Sequence, residues 1–215
     1  ITRDDLKGIL HCHSSWSDGA NSIEEMAKAA RAMGITYLGL CDHSRSATYA
    51  GGMSIERMRE QHAEIDALNA KLGRSFRVLK GIEVDILADG SLDYPDEVLQ
   101  TFELVVASVH SRFNLEAAEQ TERMIRAVSN PYVDILGHPT GRLLLARDAY
   151  PLDLFALIDA AAQRGVAIEI NAHPQRLDLD PAGLRHGLAS GMKTSVNPDA
   201  MMNTIMPIAK PATVS

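Results

Sequence analysis

The sequence predicts an α/β fold, a barrel of seven parallel strands that alternate with helices. Strand-like and helix-like segments alternate along the whole chain, and the strand segments are apolar on both faces, as in a parallel sheet covered by helices. Polar residues collect at the C-terminal ends of these strands, where barrel enzymes place their chemistry. An open dinucleotide-binding sheet is disfavoured, because no glycine-rich loop follows the first strand.

The first half of the chain is predicted to alternate four strands with three helices. The strands span residues 6–12, 35–41, 76–86 and 104–109. The helices span residues 22–33, 54–72 and 96–102. Ser22 and Glu25 have the spacing of a capping box, and Ser54 can cap the long second helix. Glycines 34 and 73 end these two helices.

The second half continues the same alternation without a low-complexity linker or an internal repeat. Its helices are predicted over residues 115–128, 152–163 and 181–190. Its strands are predicted over residues 132–136, 166–170 and 192–196. We therefore expect one domain over residues 1–200, followed by a C-terminal tail over residues 201–215 that we expect to be disordered.

Composition narrows the classes of protein. Of the 215 residues, 46% are hydrophobic and 23% charged, as in a globular protein, and no apolar run is long enough to cross a membrane. The net charge of −7 argues against broad adhesion to nucleic acid. Two cysteines in predicted strands suit a reduced, cytoplasmic protein. A start at Ile1 rather than Met suits a piece of a longer protein or a trimmed chain.

The first strand ends in two histidines that are one residue apart. Side chains alternate between the faces of a strand, so His11 and His13 point one way and Cys12 the other. Two imidazoles at the end of one strand are well placed to hold a metal ion. Alone this pattern is weak, because paired histidines also occur on solvated strand ends.

Six of the eight histidines, and several carboxylates, lie at or just after the C-terminal ends of predicted strands. In strand order these positions are His11, His13 and Asp18; Asp42 and His43; Glu83 and Asp85; His110; His138; Glu169, Asn171 and His173; Asn197 and Asp199. A parallel barrel brings these ends to one rim, which predicts a polynuclear site for zinc, manganese or iron. The alternative is a rim of solvated or core-capping histidines.

At this point the sequence resembles the polymerase and histidinol phosphatase (PHP) family of phosphoesterases. It is most similar to the PHP domain at the C-terminal end of bacterial family X DNA polymerases. The matching stretches are HCHSSWSDG, LCDHS, YAGGMS, LKGIEVDIL, DGSLDYPDEVL, ASVHSRF, NPYVDILGHPTGRLLL and EINAHPQRLDL. Together they span nearly the whole chain. The resemblance implies a distorted seven-stranded TIM-like barrel with two to three divalent metal ions.

Carried over by position, the resemblance also implies the metal ligands. The first ion would be held by His11, His13, Glu83 and Asp199. The second would be held by Glu83, His110 and His138. The third would use Asp18, His43 and a histidine two residues after Asp199, where this chain has Met201. Because a thioether is a poor ligand in such a site, we expect the third site to be weakened, empty or completed by water. His173 is a weaker candidate to compensate.

Arginines after ligand-bearing strands are candidates for the substrate's phosphate. Arg112 and Arg142 are the leading candidates, because a guanidinium can hold a phosphate with two hydrogen bonds and stabilise developing charge. With Glu83 they form the predicted catalytic set. Arg45 and His173 are further candidates for substrate binding, and Arg147 and Arg176 are weaker ones. Surface ion pairing is the alternative role for each arginine.

The leading functional hypothesis is a metal-dependent phosphoesterase. The resemblance to the polymerase-associated group suggests a DNA 3′ end as the substrate, a 3′–5′ exonuclease or 3′-phosphatase activity in DNA repair, and an attached polymerase domain before Ile1. One alternative is a stand-alone phosphatase for a small metabolite, of the histidinol-phosphate kind. Another is a non-catalytic domain whose metals brace a polymerase or a partner.

Overall fold

The computed structural model describes residues 5–199. Within this range it contains seven strands, seven helical segments and the rim predicted to hold metal. The predicted tail over residues 201–215, including Met201, lies outside the described residues, so the expectation of disorder there stays a prediction.

The seven strands form one parallel sheet whose spatial order follows the chain. They are β1 (Gly8–Cys12), β2 (Tyr37–Leu40), β3 (Arg77–Asp85), β4 (Leu104–Ser108), β5 (Ile135–Leu136), β6 (Ala167–Asn171) and β7 (Thr194–Asn197). The sheet curls until β7 lies beside β1, where the Leu10 N–H donates to Asn197 Oδ1 at 2.9 Å. The predicted seven-stranded barrel is therefore confirmed, and it is nearly closed.

Helices follow the strands and cover the outside of the barrel. They are α1 (Ile23–Ala32), α2 (Ile55–Leu72), α3 (Asp96–Leu99), α4 (Ala117–Val128), α5 (Leu154–Arg164) and α6 (Pro181–Ala189), with a 3₁₀ turn at Thr48–Ala50. The capping box of Ser22 and Glu25 is confirmed, as is the Ser54 cap, whose side chain accepts from the Arg57 N–H.

The elements differ from their predicted bounds by up to three residues, as where α3 ends at Leu99 rather than at residue 102, and two of these differences have a clear local reason. The fifth strand begins at Ile135 rather than at residue 132, because Asn130 Oδ1 accepts from the Tyr132 N–H and holds a turn there. The fifth helix begins at Leu154 rather than at residue 152, because Asp153 is its N-cap and accepts from the Ala156 N–H at 3.0 Å.

The barrel packs apolar side chains on both sides of its strands. Outside, strand residues pack against the helices in two buried clusters. Inside, a small plug fills the barrel below the rim. The plug consists of buried Cys41, Leu104, Val106 and Ile135, with Leu10 and Ala167 packed against them. Residues above this plug face the rim.

A β-bulge in β1 determines how the first strand serves both sides of the barrel. The register with β2 shifts between Ile9 and Cys12, and both residues pack in the outer cluster with α1 and α2. Strict alternation would put residues three apart on opposite faces. The bulge restores Cys12 to the outside, and His11 faces the rim.

No helix among residues 5–199 is both long enough and apolar enough to span a bilayer. Both cysteines are buried and free, as the sequence predicts.

Candidate metal centre

The structure brings together the eight side chains that the sequence predicts as metal ligands. They are His11, His13, Asp18, His43, Glu83, His110, His138 and Asp199, and six of the seven strands, or the loops after them, contribute. Nearly all of these side chains are buried, although Asp18 keeps 15% of its side chain exposed. The predicted convergence of strand ends is observed, whereas metal binding itself stays a prediction.

Glu83 lies at the centre of the cluster. Its Oε1 is 2.9 Å from His138 Nε2, 3.3 Å from His110 Nε2 and 3.4 Å from His11 Nε2. Its Oε2 is 3.0 Å from His43 Nδ1 and 3.6 Å from His13 Nε2. One carboxylate is thus shared by five imidazoles.

Two aspartates close the cluster on either side of Glu83. Asp199 Oδ1 is 3.4 Å from His13 Nε2 and 3.7 Å from His11 Nε2. Asp18 places Oδ1 3.6 Å from His13 Nδ1 and Oδ2 3.5 Å from His43 Nε2. His13 and His43 therefore each lie between Glu83 and Asp18.

Several ligand atoms in the cluster are buried without a hydrogen-bond partner among residues 5–199. They are His11 Nε2, His13 Nδ1 and Nε2, His43 Nδ1, Glu83 Oε2 and Asp18 Oδ2. Such atoms are costly to bury unless something else satisfies them. Imidazole and carboxylate atoms a little over 3 Å apart are spaced as ligands of one ion at 2.0–2.2 Å would be. The residues present therefore fit a group of divalent cations.

Three sets of these residues could each hold an ion. The sets are His11, His13 and Glu83; His13, Asp18 and His43; and His43, Glu83 and His110. They share members, as expected of a polynuclear centre. Compared with the sets that the resemblance implies, His13 joins Asp18 and His43, and His43 joins Glu83 and His110.

Two carboxylates behind the cluster orient its imidazoles. Glu169 Oε1 lies 2.7 Å from His11 Nδ1, and Asp85 Oδ1 lies 2.5 Å from His110 Nδ1. In both rings the other nitrogen, Nε2, faces Glu83. A carboxylate on the far nitrogen of a ligating histidine fixes its tautomer and increases its basicity.

The backbone at two rim positions is strained. His138 has φ 24° and Asp199 has φ 47°, in the left-handed region that non-glycine residues rarely adopt. The His138 N–H donates to Glu169 Oε2 at 2.9 Å, and Asn171 Nδ2 donates to Asp199 Oδ2 at 3.0 Å. Strain of this kind concentrates at functional sites, where surrounding contacts hold it in place.

The charges of the cluster shift its pKa values in opposite directions. Burial alone would lower the pKa of His11, but the carboxylates of Glu169, Glu83 and Asp199 raise it well above the usual value. Burial also opposes a rise at His110, where Glu83 and Asp85 raise the pKa to about 10. The imidazoles in turn hold the pKa of Glu83 well below its usual value, against the effect of burial.

His138 differs from these two histidines. Its pKa is lowered, first by burial and then by the positive charge of Arg176, despite the nearby carboxylate of Glu83. In the protein without metal, His138 is therefore neutral at pH 7, whereas His11 and His110 hold an additional proton.

Among residues 5–199, Asp42 bonds to the loop after β1 and to α2 rather than to a histidine. Its carboxylate accepts from the Ser14 N–H, the Ser14 and Ser17 hydroxyls and Gln61 Nε2, at 2.5–2.7 Å. This aspartate holds the loop after β1, which carries Asp18, against β2 and α2.

Two of the arginines predicted to contact substrate bind neighbouring loops instead of pointing freely into the rim. Arg142 is held by its own loops: its guanidinium binds the carbonyls of Arg176 and Leu177 and lies 3.1 Å from Asp178 Oδ1. Arg45 donates to the carbonyl of Asp93. These bonds leave fewer guanidinium donors free for a phosphate, and substrate binding at Arg142 and Arg45 stays a prediction.

Arg112 and His173 complete the set of predicted substrate contacts. Arg112 is exposed and has φ 56°. His173 accepts the Gln175 N–H on Nδ1 at 3.2 Å, so that nitrogen is not free for a metal ion. Substrate binding at both residues stays a prediction.

Two residues have larger roles in the site than the sequence pattern indicates. Glu169 contacts His11 and His138, and its position on one face of β6 was the only signal for it. Arg176 Nε lies 2.9 Å from Asp199 Oδ2. It follows β6 by five residues, and the sequence pattern made it only a weaker candidate.

Comparison with known proteins gives one family match and several similar sequences. A model of the PHP domain matches residues 10–173. The chain is 46% identical over 195 residues to the DNA polymerase/3′-5′ exonuclease PolX of Bacillus subtilis, covering 91% of this chain and 34% of the relative. It is 32% identical over 167 residues to a probable phosphatase of Caldanaerobacter subterraneus, covering 75% of this chain and 60% of the relative. The chain thus spans about a third of one relative and three fifths of the other.

Solved structures with the same architecture are more distant in sequence. A histidinol phosphate phosphatase from Lactococcus lactis, complexed with zinc, L-histidinol and phosphate, matches with a TM-score of 0.67 at 19% identity, covering 91% of this chain and 86% of that one. A putative histidinol phosphatase from Listeria monocytogenes matches with a TM-score of 0.69 at 12% identity, covering 94% and 98%. At these identities the likeness shows the fold.

Proposed function

Because the chain belongs to the PHP domain family and is a phosphoester hydrolase, we propose that it cleaves DNA 3′ ends at a centre of two or three metal ions. The single observation that carries the metal centre is the group of buried imidazole and carboxylate atoms without partners around Glu83. Zinc, manganese and iron all suit these ligands. Residues 1–200 form the catalytic domain in this proposal.

The proposed ions divide the cluster between them. His11, His13, Glu83 and Asp199 hold the first ion, and Glu83, His110 and His138 hold the second. Asp18 and His43 hold a third, weaker ion, because residue 201 is a methionine. When bound, such ions activate water and neutralise charge on the phosphoryl oxygens.

The chain's own residues prepare this centre. Glu169 and Asp85 keep Nδ1 of His11 and His110 engaged, so that both rings present Nε2 to Glu83 without rearrangement. Burial of the cluster excludes bulk water and strengthens every charge interaction inside it. Arg112 and Arg142 remain the arginines that the sequence pattern favours for the substrate's phosphate, although the bonds of Arg142 count against it.

A DNA substrate is supported by the high identity to PolX over nearly the whole of this chain. The chain spans about a third of that relative, which leaves room for a polymerase domain in the longer protein. The net charge of −7 suits a domain that cuts DNA presented to it rather than one that captures DNA alone. Together with the free cysteines, these points favour a cytoplasmic role in DNA repair.

A second candidate is a stand-alone phosphatase for a small phosphate monoester. The probable phosphatase from Caldanaerobacter subterraneus and the fold shared with histidinol phosphate phosphatase favour it. A third candidate is a non-catalytic domain braced by its metals, suggested by Met201.

One experiment separates the three candidates. The purified chain, loaded with manganese or zinc, is assayed on a recessed-end DNA oligonucleotide, a 3′-phosphorylated oligonucleotide and a small phosphomonoester. DNA-end cleavage that is lost in His11→Ala supports the proposal. Turnover of the monoester alone supports the second candidate, and inactivity at full metal occupancy supports the third.

A further inference from the structure

Arg176 lies between β6 and α6 and reaches the metal cluster at Asp199. Its Nε is 2.9 Å from Asp199 Oδ2, and only 13% of the side chain is exposed. Its Nη1 is buried and has no hydrogen-bond partner among the residues that the structure describes. A guanidinium nitrogen in that state is costly unless it receives an acceptor.

Asp199 places this guanidinium directly beside the cluster. One oxygen of the carboxylate, Oδ1, faces His11 and His13, and the other, Oδ2, accepts from Arg176 and Asn171. The carboxylate thus separates the imidazoles from Arg176 by a single group. A substrate phosphate held beside the histidines would lie within reach of the guanidinium.

The loop that carries Arg176 is fixed by residues after β5. Arg142 Nε donates to the Arg176 carbonyl at 2.7 Å and lies 3.1 Å from Asp178 Oδ1. Thr140 Oγ1 donates to the same Asp178 oxygen at 2.5 Å. These bonds hold the backbone on both sides of Leu177, and so they determine where the Arg176 side chain begins.

We infer that Arg176 binds a non-bridging oxygen of the substrate's phosphoryl group through Nη1, while its Nε stays on Asp199. Arg142 is a positioning residue that acts through Arg176. A planar guanidinium suits this double task, because its donors point in fixed directions and one set can bind a carboxylate while another binds a phosphate. The inference rests on the proposed function and names the side chain that recognises the phosphate.

The test measures how tightly inorganic phosphate binds to the manganese-loaded protein by titration calorimetry. Arg176→Gln should weaken this binding about tenfold or more, and Arg176→Lys by less, since lysine keeps the charge but not the fork of donors. Arg164→Gln, an exposed site on α5, is the matched control and should leave binding unchanged. Equal phosphate affinity in Arg176→Gln and wild type would overturn the inference.

Metal content is measured on the same samples, because Arg176 also supports Asp199. Phosphate affinity is compared only at manganese concentrations that restore the wild-type content. If Arg176→Gln does not reach the wild-type manganese content, the phosphate affinity of Arg176→Lys is compared with that of wild type instead. The readout is independent of catalysis: a wild type that binds phosphate but cleaves no ester contradicts the proposed function and leaves the inference standing.

The role of Arg142 is tested by a double-mutant cycle on phosphate binding. If Arg142 acts through Arg176, Arg142→Gln weakens phosphate binding in wild type but has little further effect in Arg176→Gln. Additive losses would mean that Arg142 contacts the phosphate itself, as its sequence position suggested, and would overturn its assignment as a positioning residue.

Discussion

Glu83 in β3 and Glu169 in β6 are both buried glutamates above the plug, yet their surroundings differ. Each oxygen of Glu169 accepts two hydrogen bonds, from His11 Nδ1 and Asn197 Nδ2 on one side and from Asn171 Nδ2 and the His138 N–H on the other. Glu83 instead faces ring nitrogens, and its Oε2 has no hydrogen-bond partner among residues 5–199.

The difference indicates that Glu169 supports the histidines, whereas Glu83 is suited to bind a cation. When the Nδ1–H of a neutral His11 donates to Glu169, the Nε2 atom has only a lone pair to offer to Glu83 Oε1, 3.4 Å away. Two acceptors face each other stably only with a proton or a metal ion between them. Without metal, a proton on His11 fills this position, which is why the pKa of His11 is raised.

The largest effect is expected from removing the charge at the centre. Glu83→Gln should lower turnover about a thousandfold or more and reduce the bound metal, because Glu83 is the proposed shared ligand of two ions and such a ligand would contribute several kcal/mol to catalysis. Metal content by mass spectrometry and turnover of the best substrate measure this. Glu97→Gln, on the exposed surface of α3, is the matched control. Full metal content in Glu83→Gln would contradict the central role of this carboxylate.

The proton held by the cluster should make metal affinity strongly pH-dependent. The pKa values of His11, His13 and His110 are raised, so metal must displace their protons, and affinity rises as pH rises. Each displaced proton corresponds to about tenfold in affinity per pH unit. His138, whose pKa is lowered, contributes none.

Titration calorimetry in buffers of different ionisation enthalpy counts the released protons directly. A binding heat that is the same in every buffer at pH 7 would show that no proton leaves. The assignment of charged His11 and His110 in the metal-free protein would then be wrong.

A smaller effect is expected at the supporting carboxylate. Glu169→Gln keeps the shape but weakens the hold on His11 and on the strained His138 backbone, so metal affinity or turnover should fall about 10–100-fold. The same assays and the Glu97→Gln control apply. A loss as large as that of Glu83→Gln would mean that Glu169 is itself a metal ligand, which would remove the distinction between the two glutamates.

The smallest effect is expected at the edge of the cluster. Asp18 contacts His13 and His43 but not Glu83, so Asp18→Asn should remove at most one ion and lower turnover about tenfold or less. Asp89→Asn, at an exposed turn position, is the control. Loss of all bound metal in Asp18→Asn would show that the centre is held as one unit.

Much of the fold follows from patterns that the sequence displays directly. Alternating apolar segments and capping residues such as Ser22 and Ser54 predict the barrel and the beginnings of α1 and α2. The convergence of His11, Glu83 and His138 also follows, because one topology brings parallel strand ends to one rim.

Other features depend on contacts that no local pattern encodes. The bulge in β1 is a register shift against β2, visible only once the two strands pair. The bonds of Arg142 and the reach of Arg176 depend on how two loops pack against each other. A position after a strand end predicts that a side chain is near the rim but not which way it turns.

The junction between β1 and β7 implies that bound metal ions would also stabilise the fold. The two edge strands are joined there by the bond from Leu10 to Asn197, which are 187 residues apart in the chain. An ion held by His11 and His13 at the end of β1 and by Asp199 after β7 would cross-link the first and last strands of the barrel. A cross-link over so long a loop restricts the unfolded chain strongly, so loading the centre would also resist unravelling of the barrel from its edges.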